Sequence, residues 1–299
     1  MTHSAKKDDM TTDLVAALLQ TQALRIAPPG EMFWYTSGTI GPYYINTHYL
    51  YGNPTKAEDL LKFIDGEKED RNHFPPLLAA RTRKNYATDE IYRHVVDALV
   101  GDIQDRTAGN FDYISGGERR DWFFSPAVAE KLDKPHLLIY KDLSVVLCSE
   151  NGVAEVNGLE GKKTVHIADL VTEASSYFRS WMPAIQERGG RIDYSLNVVD
   201  RAQGGTEALK AAGLDTRALL RVDEHLFDEL VRSGIIEQPQ REMLTAYYHQ
   251  PDSTMKTFLQ ERPDFLQGAL ASADERTAAR ARILVDENPY GLDLTGLAP

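Results

Sequence analysis

The 299-residue chain has one cysteine, Cys148, so no disulfide can close within it, as suits a reducing cytoplasm. No His/Cys pairs stand at zinc-ligand spacing, so no structural zinc is expected and no residue is put forward as a metal ligand. No apolar run approaches the roughly 20 residues that a membrane helix needs. Met1 to Met10 are polar and charged, with no apolar signal region. Basic runs are short, Arg81-Thr82-Arg83-Lys84 being the one that stands out, in a chain of net charge −12. Such a chain repels nucleic-acid backbones and anionic membranes. Internal repeats and low-complexity tracts are missing too. These absences point to a soluble cytoplasmic protein. Its 42% hydrophobic and 26% charged residues suit one large domain or two ordinary ones.

Leu14, Val15, Leu18, Leu19 and Leu24 fall at helical spacing and predict a helix from Thr11 to Ile26, stopped by Pro28-Pro29-Gly30. Two aromatic runs, Met32 to Tyr35 and Pro42 to Asn46, flank a turn at Ser37-Gly38 and read as paired strands. Residues 65–88, polar and carrying Pro75-Pro76, read as an inserted loop. Asp89 then caps a helix with Ile91, Val95, Val96, Leu99 and Val100 on one stripe. Beyond Phe111 strands alternate with helices: a strand to Ser115, a helix from Asp121 to Leu132, a strand from His136 to Tyr140, and a hairpin turned at Asn151-Gly152. A strand from Thr164, a helix from Ser175 to Arg188 and a strand from Ile192 to Val199 follow. This order predicts an α/β fold with a mostly parallel sheet and helices on both faces. Residues 1–204, with the 65–88 insertion, form the expected main domain. Residues 205–299, including Leu219 to Val222, read as a helical extension.

Open α/β sheets bind ligands at the carboxyl ends of their strands, and three such ends carry suggestive residues. At the first, Thr172, Ser175 and Ser176 with the following backbone N–H groups suit a phosphate, and Asp169 suits a ribose diol; equally, Thr172 and Ser175 suit plain helix capping. At the second, Gly116-Gly117 allows a tight turn, and Arg119 and Arg120 suit an anion clamp or pairing with Glu118 and Asp121. At the third, Lys141 suits a polyphosphate or plain solvent. The N-terminal Tyr/Trp segment suits base stacking or core packing.

Taken in order, these pieces resemble the type I phosphoribosyltransferases, most closely the orotate phosphoribosyltransferase family. Ser37-Gly38-Thr39-Ile40-Gly41-Pro42-Tyr43-Tyr44-Ile45-Asn46 is similar to that family's Lys-Ser-Gly-Arg-x-Ser-Pro-Tyr-Phe-x-Asn base-binding segment. Gly116 to Asp121 falls where the family has its pyrophosphate loop. Val165 to Ser176 falls on its signature for 5-phosphoribosyl 1-diphosphate (PRPP), two acids followed by Thr-x-Gly-x-Thr/Ser. The resemblance covers about residues 11–200. It implies an N-terminal base-binding hood, transfer of a phosphoribosyl group between PRPP and a nitrogenous base, substrate-bound Mg²⁺, and a homodimer. Asp169 and Lys141 would be catalytic. Thr172, Ser175, Ser176, Arg119, Arg120, Gly116 and Gly117 would hold the phosphates, and Tyr43, Tyr44, Asn46 and Ser37 the base. Thr36 and Thr39 replace the family's basic residues, Ala168 its first acid, and Glu173-Ala174 its phosphate-turn residues. Lys141 and Asp142 match the start of its mobile catalytic loop, whereas Leu143 to Cys148 are apolar or small. A binding or regulatory relative that senses a nucleotide is the other reading.

Overall fold

The computed structural model describes residues 13–293. In chain order a helix over 13–20 (α1) leads into the short strands β1 (Leu24–Ile26), β2 (Phe33–Trp34), β3 (Ile40–Gly41) and β4 (Tyr43–Ile45). A 3-10 turn over Thr47–Tyr51 precedes α2 (Pro54–Glu67), α3 (Phe74–Thr88) and α4 (Glu90–Thr107). Then come β5 (Tyr113–Gly117), α5 (Ser125–Lys131), β6 (His136–Ile139), β7 (Val145–Ser149), β8 (Gly152–Glu155) and β9 (Lys163–Val171). A π-turn over Tyr177–Trp181 runs into α6 (Met182–Gln186), followed by β10 (Arg191–Asp200), α7 (Gly205–Ala211) and β11 (Asp215–Arg221). Five helices close the described chain: α8 (Glu224–Arg232), α9 (Gln238–His249), α10 (Pro251–Glu261), α11 (Pro263–Leu270) and α12 (Glu275–Glu287). No helix among the described residues is long and apolar enough to cross a membrane.

Two compact units result. The first holds the described residues up to Ala23 together with Asn46–Arg221. Its sheet has the order β11-β10-β9-β5-β6-β7-β8. β11, β10, β9, β5 and β6 are parallel, and the β7–β8 hairpin is antiparallel on one edge. Parallel strands are covered on both faces and so read as continuous apolar runs; accordingly Thr164–Val165–His166–Ile167–Ala168–Asp169 and Tyr194–Asp200 are buried throughout. On one face Gly116 meets Ser125 of α5, and α4 packs beside that helix; on the other Gly117 meets Trp181. That second face has a core of Leu137, Ile139, Val171, Tyr177, Ile185 and Leu209 among others. The second unit, Leu24–Ile45 with the residues from Val222 onward, joins two small ribbons to helices α8–α12. Trp34 stacks on Phe265 there, with ring centroids 5.6 Å apart, and Tyr290 Oη accepts the Ile40 N–H at 3.0 Å.

Four expectations are corrected. Residues 65–88 are not a loop: α3 occupies Phe74–Thr88, with Phe74, Leu78, Thr82 and Asn85 buried. Pro75 and Pro76 fall in its first turn, where a missing N–H costs nothing. Residues 215–221 are not helical but form β11, paired with β10, so the sheet runs past residue 204. A short apolar run carries no period that separates strand from helix. The first helix ends near residue 20, and Leu24–Ile26 is instead a strand. The aromatic runs do not pair with each other: β2 pairs with β3, and β4 with β1. The expected hairpin forms, with its turn one residue earlier, at Glu150-Asn151, since Ser149 pairs with Gly152.

Asp89 caps α4, its Oδ1 accepting the Tyr92 N–H at 3.0 Å, while Oδ2 meets Lys56 Nζ at 2.7 Å. Asp89→Ala is expected to cost about 1 kcal/mol in urea unfolding. Asp89→Asn keeps the cap and loses only an exposed ion pair, so its cost is a few tenths of that. Equal losses in both variants would assign the stabilisation to the ion pair.

Candidate functional site

β5 lies at the switch point of the sheet, since the chain goes from β5 to β6 on one side and later to β9 on the other. Crevices open at the carboxyl ends of strands at such points. β5 and β9 pair only as far as Ser115 opposite His166. Beyond that they part, and the side chain of Asp121 enters the gap. Its Oδ2 accepts the Gly117 N–H at 2.9 Å and its Oδ1 the Asp169 N–H at 3.0 Å. A cleft of about 370 Å³ opens above, lined by three segments: Glu118–Asp121, Lys141, and Ala168–Tyr177 with Trp181.

After β9, Thr172–Ser176 forms the turn into the next helix. Ala174 has φ of 59°, a left-handed conformation that costs a residue with a Cβ about 1–2 kcal/mol. Its methyl is buried in the same core cluster as Val171, Tyr177 and Trp181, which offsets part of that cost. The turn is braced from outside, the Gly205 N–H donating to Thr172 O at 2.9 Å. A Cβ on Gly205 would lie 2.5 Å from that oxygen, so glycine is what permits the approach. Ser175 and Ser176 are exposed at the helix start, where free N–H groups favour an anion.

The Gly116–Asp121 segment departs from its expected form. Gly116 and Gly117 are the last residues of β5, not a tight turn, and neither lines the cleft. They are small for packing: a Cβ would lie 2.2 Å from Ser125 Oγ at Gly116, and 2.3 Å from the Trp181 ring at Gly117. The Glu118–Arg119 peptide is cis. Glu118 is bonded through both oxygens, to Lys68 Nζ and to the Lys141 N–H at 3.1 Å. Arg119 pairs with Asp65 of α2 rather than with Glu118 or Asp121. Beside these arginines the buried His48 imidazole is held down to about 3, by burial first and then by Arg120 and Arg119. Lys141 follows β6, but Val145–Ser149 is a sheet strand, joined to β8 by a two-residue turn, so residues 143–152 form no loop over the cleft.

Asp169 lies at the cleft floor, and Thr47 Oγ1 donates to its Oδ2 at 2.6 Å. Burial, and then the Asp121 carboxylate, push the Asp169 carboxyl up to about 7. The structure thus gathers Asp169, Lys141, Thr172, Ser175, Ser176, Arg119 and Arg120 around one cleft. Asn46 precedes the 3-10 turn of the same unit. Ser37, Tyr43 and Tyr44 belong to the second unit: Ser37 Oγ meets Thr39 Oγ1 at 2.8 Å, the buried Tyr43 packs edge-on to Tyr247, and Tyr44 contacts Phe33 and Tyr35. Sequence reasoning missed Thr47, Lys68 and the bridging role of Asp121. The signal available for Thr47 was its place directly after Asn46, whereas Lys68 was hidden in the stretch read as a loop. No cluster of three or more His, Cys, Asp or Glu among the described residues suits a metal ion.

The raised Asp169 carboxyl has a measurable sign. Folded, it keeps its proton to higher pH than the ordinary 3.8 of the unfolded chain. Its stabilising contribution is therefore complete below about pH 3.8 and is lost as pH rises through about 7. His48 and His136, both lowered to about 3 chiefly by burial, act in the opposite sense, losing stability as pH falls. The parent-minus-Asp169→Asn difference in unfolding free energy isolates the carboxyl and is expected to fall as pH rises from about 4 to about 7, and to level off above that. A flat difference would show that Asp169 titrates normally.

No family model matches the chain. An orotate phosphoribosyltransferase from Sulfolobus acidocaldarius is 23% identical over 239 residues, 79% of this chain and 95% of that protein. One from Rhodopseudomonas palustris is 38% identical over 78 residues, 26% of this chain and only 41% of that protein. The crystal structure of a Francisella tularensis orotate phosphoribosyltransferase superposes with a TM-score of 0.52 at 14% identity, covering 79% of this chain and 97% of that one. The fold is therefore shared with that enzyme, and the chain is similar in sequence to orotate phosphoribosyltransferases.

Proposed function

We propose that the cleft binds PRPP and moves its phosphoribosyl group to or from a nitrogenous base, orotate being the base suggested by the relatives. One observation carries this reading: three segments far apart in sequence, around Asp121, Lys141 and Asp169–Ser176, line a single cleft at the sheet's switch point. In the forward direction the C1–O bond to pyrophosphate breaks as a C1–N bond to the base forms, and pyrophosphate leaves with its electron pair. Thr172, Ser175 and Ser176 take the 5-phosphate with the helix N–H groups. Asp169 accepts the ribose hydroxyls. Arg120, Lys141 and Arg119 take the diphosphate, which brings Mg²⁺ with it as part of the substrate. Ser37, Tyr43, Tyr44 and Asn46 are the residues proposed for the base, and a homodimer is the proposed assembly.

A second reading, binding without turnover, draws on two particular features. Residues 143–152 form a fixed hairpin where the family has a mobile catalytic loop, and Glu118 puts a carboxylate among the diphosphate ligands. Preorganised charged donors are typically worth about 3 kcal/mol in a transition state, so losing two would slow turnover by several powers of ten.

Calorimetry with PRPP and Mg²⁺, followed by an assay of pyrophosphate release with orotate, decides between them. Binding with turnover supports transfer, and binding alone selects the second reading. No binding at millimolar PRPP, in parent and Asp169→Asn alike, removes both. Asp169→Asn is expected to weaken PRPP by about tenfold or more through the lost charged acceptor. Glu118→Gln takes one like charge from the anion site, worth about 1–3 kcal/mol at an effective dielectric near 20, so pyrophosphate affinity is expected to rise by about tenfold or more. Unchanged pyrophosphate affinity would place the Glu118 charge outside the diphosphate subsite.

A further inference from the structure

Asp169 is the acid best placed for a ribose diol, yet on its own it is poorly held. It stands at the end of β9, where pairing with β5 has ceased, beside the carboxylate of Asp121. A carboxyl so placed can share a proton with its neighbour and turn away from a ligand. The contact that prevents this comes from outside the sheet. Thr47 is buried, 1% exposed, and its hydroxyl donates to Asp169 Oδ2 at 2.6 Å.

The donor is rigid. A β-branched residue has few side-chain rotamers, and the 3-10 turn that carries Thr47 is anchored along its length. The Asn46 N–H donates to Ala23 O at 2.8 Å, Leu50 is fully buried, and Asn85 Nδ2 donates to Tyr51 O at 2.7 Å. The hydroxyl takes one carboxyl oxygen and so fixes the plane of the group, leaving Oδ1 to be set by that plane. It also favours the ionised form, the one that accepts hydrogen bonds from sugar hydroxyls.

We infer that Thr47 is a positioning residue for ribose recognition: by fixing the Asp169 carboxyl it makes the cleft select a ribosyl phosphate over a 2-deoxyribosyl phosphate. This rests on the phosphoribosyl reading of the cleft. Thr47 touches no part of the ligand; it acts through Asp169.

The experiment titrates the full chain calorimetrically with ribose 5-phosphate, 2-deoxyribose 5-phosphate and inorganic phosphate, using the parent, Thr47→Val and Thr47→Ser. The parent is expected to prefer ribose to deoxyribose 5-phosphate. Thr47→Val loses about tenfold for ribose 5-phosphate, and with it the preference, while inorganic phosphate stays within about twofold; Thr47→Ser restores both. The pH dependence gives a second readout. Ribose binding strengthens as Asp169 ionises, and loss of the Thr47 donor moves that rise to higher pH, because the hydroxyl had favoured the charged form. Asp121 and Arg120 face the same carboxyl, and His48 and His166 lie beside those two, but all are common to the three proteins, so the displacement reports Thr47.

A Thr47→Val protein that keeps the parent's ribose affinity and preference overturns the inference while leaving the phosphoribosyl reading intact. Equal losses for ribose 5-phosphate and inorganic phosphate, not restored by serine, would make Thr47 a packing residue and also overturn it. A parent that binds none of the three probes removes the phosphoribosyl reading itself, and the role of Thr47 with it.

Discussion

The Asp121 carboxylate bridges two backbone N–H groups at the point where β5 and β9 separate. Strands that part inside a core leave amides without partners, and an unsatisfied buried N–H costs about 1–3 kcal/mol. One side chain satisfies both. The strands can therefore diverge, and the divergence is the cleft. The same carboxylate stands next to Asp169 and pushes its proton affinity up. Asp121 thus takes part both in opening the cleft and, after burial, in raising the Asp169 carboxyl.

Around that bridge the cleft is a balance of charges. The α2–α3 corner reaches both anion-facing loops, Asp65 taking Arg119, Lys68 taking Glu118, and Arg71 taking Asp142 at 2.6 Å. These pairs hold the loops to the helices, but they also use up cations that a diphosphate would need. Arg120 and Lys141 make no ion pair among the described residues and are the cations left for the proposed diphosphate. The proposed 5-phosphate side is built differently. It relies on backbone N–H groups and hydroxyls at a helix start, kept in shape by Gly205 behind and by Ala174 in a left-handed conformation. The proposed sugar-phosphate half of the site is thus set by backbone geometry, and the proposed diphosphate half by side chains.

Much of this was legible in the residues. The parallel-sheet strands declare themselves because burial on both faces demands continuous apolar runs, and Asp89, with a stripe of apolar residues behind it, declares α4. The candidate phosphate residues could be named because helix starts after strands are predictable from short-range signals. Other parts were not legible for equally local reasons. Residues 65–88 hide a helix beneath their charges, since only Phe74, Pro75, Leu78, Thr82 and Asn85 are buried along it. The strand at 215–221 has too short an apolar run to show a period, and the pairing of the aromatic ribbons depends on partners 17–21 residues apart in one case and 6–8 in the other.

By itself the chain determined the α/β alternation, the order of the phosphate-type and arginine-bearing segments, and the lack of glycine at position 174, because period, capping and turn chemistry act over a few residues. Only the tertiary structure decided that Arg119 belongs to Asp65, Glu118 to Lys68, Asp121 to two backbone amides, and Asp169 to Thr47 across 122 residues. The partners of Asp121 and Asp169 are chosen by which buried donor or acceptor would otherwise go unpaired once the sheet and its helices have closed, the ion pairs by which charges that closure brings side by side, and no local pattern carries that information.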